Sequence, residues 1–298
     1  VLRRVTPVVA LLALGVASCH DGAAPRAPVT AEVDRYGVDT HDFTPREKRE
    51  FSTYVQELPA PCNGMTMHIA ECLTGGKPCS ACLSAAQAIG KAVREGMARE
   101  QVEQLYKERF DVGTAKTIPL DGSPSRGPEG APVVVVEFAD FECPFCQKLA
   151  PDLDDLWEKR KDKVRFVYKF MPLQMHAHSQ IAARAAIAAL AQGKFWEMHH
   201  LLFANGQHLE QQDLEKYAKE IGLDVDRFRA DMASAATAAR IDTDRRLADD
   251  LGVKGTPTIY IDGREYDSKV DLAEWVDQEI ATREKNSREH QLSNDRAN

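Results

Sequence analysis

The sequence predicts an α/β domain preceded by a small α-helical, cysteine-bearing module, and three observations lead there. Val133–Phe138 (VVVVEF) is a continuous β-branched run, the mark of a strand buried on both faces. The chain beyond that strand reads helix, strand, helical block, hairpin and helix, which is an α/β plan. Between this part and a preceding helical segment lies Gly113 to Pro132, rich in Gly and Pro and read as a domain boundary. A length of 298 residues with 43% hydrophobic side chains suits one large or two small domains and excludes collagen, coiled coil and a wholly disordered chain. With 38 basic against 46 acidic residues the net charge is −8, which argues against a nucleic-acid surface. No apolar run reaches the ~18 residues that a membrane-spanning helix needs.

Taken in order, residues 1–18 read as a signal peptide: Arg3 and Arg4 give a positive start and Val5 to Ala17 a mostly apolar stretch. Val16-Ala17-Ser18-Cys19 resembles the bacterial lipobox, which implies cleavage before Cys19, its acylation, and a periplasmic protein held to a membrane by lipid. The alternative is an ordinary signal peptide with a chance cysteine. Residues 19–43 then form a flexible tether without periodicity. Setting Cys19 aside leaves six cysteines, and an even set in an exported protein suggests disulfides.

The module spans 44–113. Thr44-Pro45-Arg46-Glu47 supplies an N-cap, a proline at the first helical position and a capping-box glutamate. Phe51, Tyr54, Val55 and Leu58 form the apolar stripe, and Pro59 and Pro61 stop the helix. Ser84–Glu95, closed by Gly96, and Arg99–Phe110 are two more helices. After a linker at 114–132, the domain at 133–285 holds a helix from Cys143 to Lys161, a strand Val164–Phe170 and an inserted Ala-rich helical block at 178–251. It closes with a strand Thr258–Ile261, a hairpin turn at Asp262-Gly263 and a helix Val270–Thr282. Residues 286–298 are polar and expected to be disordered.

The strongest chemical signal is Cys143-Pro144-Phe145-Cys146, directly after the buried strand and at a helix start. Unpaired first-turn N–H groups and the positive dipole end favour thiolate there. Pro144 is tolerated because those N–H groups lack intrahelical partners anyway. Cysteines three apart share a helix face and can close a small reversible disulfide ring. A structural disulfide or half a zinc site would be the alternative.

Here the chain resembles the DsbA-like branch of the thioredoxin superfamily. The resemblance rests on Val133 to Cys146, on Met171-Pro172-Leu173 with His176, on Gly193-Lys194-Phe195-Trp196-Glu197-Met198-His199, and on Gly252-Val253-Lys254-Gly255-Thr256-Pro257-Thr258, and it covers roughly 117–285. It implies a thioredoxin fold with a helical insertion and a thiol–disulfide oxidoreductase without a cofactor. Cys143 would be the exposed nucleophile that forms the mixed disulfide, Cys146 the buried resolving thiol, and Glu137 a buried acid that relays a proton to or from Cys146. Pro257 would follow a cis peptide, and Thr256 would offer its backbone to an extended substrate strand, beside Phe145. Glu137 could instead, or in addition, pair with Lys169. The partners implied are exported proteins with free or mispaired cysteines and a membrane thiol oxidase or reductase of DsbB-like, VKOR-like or DsbD-like type. Phe145 stands where the best-known oxidase has a histidine, so one donor to the thiolate is missing. Oxidation is the expected direction; isomerase or reductase activity, as in cytochrome c maturation, is the runner-up.

Cys62, Cys72, Cys79 and Cys82 are separated by nine, six and two residues. They read first as two structural disulfides, then as a second redox pair at Cys79/Cys82, then as a zinc or copper site helped by Met65, Met67 and His68. A copper- or zinc-handling binding protein and a non-catalytic adaptor are the rival functions. His176, His178, His199, His200 and His208 read as packing or surface residues, not as metal ligands.

Overall fold

A computed structural model describes residues 36–62, 66–75, 80–111, 113–267 and 271–297. The signal sequence, Cys19, Met65 and Cys79 lie outside the described residues. The module consists of α1 (Pro45–Glu57), α2 (Ile69–Thr74), α3 (Ser80–Arg94) and α4 (Arg99–Phe110). Thr44 accepts from the Glu47 N–H while Glu47 reaches back to the Thr44 N–H, the reciprocal cap expected from the sequence. Helix α3 starts four residues before the Ser84 expected from periodicity.

The tether ends earlier than composition suggested. Tyr36, Val38 and Phe43 are buried in the module core. Tyr36 and Phe43 meet the Phe51 ring edge-on at 6.5 and 5.9 Å. Three large apolar side chains within eight residues suffice to dock a segment that has no periodicity of its own.

The second unit runs β1 (Ser125–Arg126), β2 (Val133–Ala139), α5 (Pro144–Arg160), β3 (Val164–Phe170), α6 (Ser179–Leu190), α7 (Phe195–Ala204), α8 (Gln211–Glu220), α9 (Val225–Ala233), α10 (Ala235–Leu251), β4 (Thr258–Ile261), β5 (Arg264–Glu265) and α11 (Leu272–Ala297). Its five-stranded sheet has the order β1-β3-β2-β4-β5. Strands β2 and β3 are parallel, joined through α5; the other pairs are antiparallel. This is a thioredoxin fold with α6–α10 inserted between β3 and β4. Asp262 and Gly263 both take positive φ in the β4–β5 turn, the geometry a two-residue hairpin requires.

Two further boundaries differ from expectation. The linker contains β1, which pairs with β3 because Gly127 brings its backbone against Val164; a Cβ there would lie 2.2 Å from the Val164 carbonyl oxygen. The tail expected to be disordered continues α11 to Ala297, since after Trp275 the sequence contains no Gly or Pro to stop it.

Both faces of the sheet are covered. Val135, Phe166, Ile259 and Ile261 pack against α5 and α11 on one side, and Val136, Phe138, Val167 and Tyr260 pack toward α10 on the other. The module docks on α11: Ser84 Oγ lies 2.6 Å from Thr282 Oγ1, Lys91 pairs with Glu274, and Arg109 reaches Gln278. Among the described residues no helix is long and apolar enough to cross a membrane.

Candidate active site

Strand β2 delivers the chain to Asp140, whose buried side chain ties down the two loops around the cysteine pair. Its Oδ1 accepts from the Glu142 N–H at 2.9 Å, and its Oδ2 accepts from the Leu173 N–H at 2.9 Å and lies 2.7 Å from His176 Nδ1. Glu142 in turn accepts from the His178 N–H. Cys143 is the N-cap of α5 and Pro144 its first residue. Gln147 donates to the Phe141 carbonyl at 3.1 Å, an approach open only because residue 206 is glycine; a Cβ there would stand 1.9 Å from Gln147 Nε2.

Cys143 and Cys146 are free thiols, and both are buried. Cys143 was expected to be exposed, yet it is 3% exposed. Its Sγ donates to the Thr256 carbonyl at 3.3 Å, so the loop holding the cis Thr256–Pro257 peptide covers it. Among the described residues the exposed large hydrophobic side chains are Phe145, between the two cysteines, and Met175, at 70% and 82%. Sequence reasoning singled out Phe145 and passed over Met175, which sits in the loop that Asp140 and Glu142 tie down.

Cys146 lies inside the core with Phe141, Tyr168 and Phe170. Burial, and then the nearby Glu137 charge, push its thiol well above the ordinary range. Glu137 is wholly buried with no hydrogen bond to Oε1, and burial followed by the charge of Asp154 pushes its carboxyl up to about 8, with Arg126 opposing. The expected Lys169 partner is not there. Glu137 is in register with Tyr168, so Lys169 points to the opposite face, where it pairs with buried Asp244 at 3.3 Å. On the Glu137 side, His199 is enclosed by Phe141, Tyr168, Phe195, Trp196 and Phe203. Burial holds its imidazole down to about 3, so it stays neutral. His200 sits 3.2 Å from Asp154. His176, His178 and His200 thus lie against three separate carboxylates, Asp140, Glu142 and Asp154, and His199 is in aromatic packing.

In the module, Cys72 is disulfide-bonded to Cys82, and Cys62, also disulfide-bonded, lies 3.4 Å from Cys82 Sγ. The Cys79/Cys82 redox pair is thereby corrected: Cys82 is taken by a cysteine of α2. Cys62, Cys72 and Cys82 are the one convergent group of candidate metal ligands among the described residues, but their sulfurs are committed to disulfides. This cluster is remote from Cys143. Ser84, two residues past Cys82, is bonded to Thr282, and Arg283 reaches Asp262 in the β4–β5 turn. That turn lies by Val134 at the start of β2, whereas Cys143 comes after its end.

Two thiols at a helix N-terminus, a cis-proline loop against one sulfur and a buried acid whose charge acts on the other form a dithiol site of the kind that a thiol–disulfide oxidoreductase uses. The chain belongs to the thioredoxin family, whose model matches residues 120–278. It is similar to a thioredoxin-like oxidoreductase from Silicibacter pomeroyi, with 30% identity, a TM-score of 0.50, and coverage of 55% of this chain and 94% of that one. Oxidised BdbD from Bacillus subtilis, 23% identical with a TM-score of 0.50 over 56% of this chain and 98% of its own, shares the fold. Among curated relatives, the Na(+)/H(+) antiporter NhaA 3 of Salinispora tropica is 46% identical over 142 residues, which cover 47% of this chain and 22% of the relative. The chain thus matches under a third of the length of such relatives.

Proposed function

We propose that this protein is an extracytoplasmic thiol oxidase, held to a membrane through lipid on Cys19, that introduces disulfides into exported proteins through Cys143 and Cys146. The observation that carries it is the free Cys143/Cys146 pair at the start of α5 with the buried carboxyl of Glu137 close enough to act on Cys146. The formed Cys72–Cys82 disulfide supports an oxidising compartment.

In the oxidised enzyme a substrate thiolate attacks Cys143 Sγ. The Cys143–Cys146 bond breaks, a substrate–Cys143 disulfide forms, and Cys146 leaves as thiolate. Glu137, protonated at neutral pH, gives its proton to that thiolate. A second substrate thiolate attacks the substrate sulfur of the mixed disulfide, and Cys143 leaves. Two substrate thiols have become one disulfide and the enzyme disulfide has become a dithiol, whose electron pair passes to a membrane thiol oxidase. Extended substrate would lie along Thr256 and Pro257, its apolar side chains against Phe145 and Met175.

The test is trapping in cells: Cys146→Ala should accumulate mixed disulfides with exported proteins, and Cys143→Ala should not. Trapping by Cys143→Ala instead would reverse the assigned roles. Phe145, which offers the thiolate no charged donor, favours a second reading as a reductase. A glutathione-buffered potential between about −240 and −150 mV supports the oxidase, and one near or below ~−270 mV supports the reductase.

A further inference from the structure

Arg126, in the segment read from sequence as linker, carries a charge into the same side of the sheet as Glu137. It lies opposite Phe166 of β3, and Phe166 lies opposite Val135 of β2. Cross-strand partners project to one face, and residues two apart share a face, so Arg126, Phe166, Val135 and Glu137 point the same way. The Arg126 side chain is only 10% exposed. Its guanidinium carbon stands 4.3 Å from the Trp157 ring centre on α5 and 4.4 Å from Trp196 on α7. Its Nη2 donates to Asp154 Oδ1 at 2.5 Å, while Nε has no partner.

An ion in such a place carries a desolvation penalty, and an apolar side chain of similar length would fill the aromatic slot without it. The charge therefore matters through the groups it acts upon. Glu137 interacts with Arg126 from β1, with Cys146 and Asp154 from α5 and with Tyr168 from β3; His199 of α7 packs against Tyr168, and His200 lies beside Asp154. The residue opposite Glu137 on β4 is Ile259, which does not titrate. We propose that Arg126 is a positioning residue for proton transfer at Cys146: its charge favours the carboxylate of Glu137, Asp154 opposes it, and the balance of the pair sets how readily Glu137 releases its proton. This rests on the reading of Glu137 as the proton donor to Cys146. It is supported by the two signs of influence on Glu137, downward from Arg126 and upward from Asp154.

The experiment measures, on the full chain, the rate at which a dithiol peptide reduces the Cys143–Cys146 disulfide as a function of pH, with the peptide's own ionisation divided out. Arg126→Met should move the Glu137 inflection to higher pH by about one unit, Asp154→Asn should move it lower, and Arg126→Lys should leave it near wild type. A purely structural Arg126 would leave the inflection in place in Arg126→Met or move it to lower pH, and either result overturns the proposal. Should Arg126→Met fail to fold, Arg126→Gln takes its place in the same measurement, and no upward movement overturns the proposal. Glu137→Gln separates the two readings. If the inflection survives it, the proton-donor role of Glu137 falls; if it vanishes but ignores the charge variants, only the role of Arg126 falls.

Discussion

Cys146 and Cys82 occupy the same local position and differ in nearly everything else. Each is the second cysteine of a CxxC motif, the third residue of its helix, and fully buried. Cys82 meets Cys72 from α2 inside a nest of Ala60, Met67 and Leu73, and is consumed in a disulfide. Cys146 remains a free thiol over Glu137. A helix start and CxxC spacing are thus insufficient for redox chemistry. The partner brought by another element and an ionisable group within reach decide it.

The largest effect should come from removing one cysteine at each site. Cys143→Ala is expected to lower dithiol oxidation by on the order of a thousandfold or more, whereas Cys82→Ala should leave turnover within about twofold; a thiol-oxidase assay with a peptide substrate reads both. Equal losses would erase the distinction between the clusters.

Stability should show the reverse order. Replacing Cys72 and Cys82 together is expected to cost about 2–4 kcal/mol in denaturant unfolding, with the glutathione equilibrium of Cys143/Cys146 unchanged. A shift in that equilibrium would mean that the clusters communicate although one lies in the helical module and the other at the start of α5.

A smaller effect is expected from Glu137. Its folded value stands at about 8 against an ordinary 4.5, so within that window the folded state holds a proton that the unfolded chain has lost. Stability therefore falls as pH rises from the lower value to the upper. Glu137→Gln should remove this slope and exceed the wild type by at least about 1 kcal/mol at alkaline pH, with the advantage fading in acid. Unfolding midpoints across pH check it, and parallel curves for the two proteins would show that Glu137 is ionised in the fold.

The subtlest expectation concerns Phe145→His. A charged donor at this exposed position should favour the Cys143 thiolate and raise the potential by about 30 mV, equivalent to ~1.4 kcal/mol for a two-electron couple. No rise would sink the argument from the dipeptide and leave the helix terminus as the main influence.

The sequence alone determined features held by neighbours along the chain. The reciprocal cap of Thr44 and Glu47, the β-branched run of β2, the helix start at Cys143-Pro144 and the Asp262-Gly263 turn all depend on sterics and hydrogen bonds within a few residues. The two candidate active-site cysteines were legible for that reason. Only the tertiary structure decided that Glu137 faces Arg126 and Asp154 instead of Lys169, because a one-residue step along β3 reverses the face. It also decided that Tyr36 and Phe43 belong to the module core, that Cys82 is joined to Cys72, and that the Thr256 carbonyl covers Cys143. These depend on strand register and on which helices dock together, relations between residues far apart in the chain that no local pattern encodes.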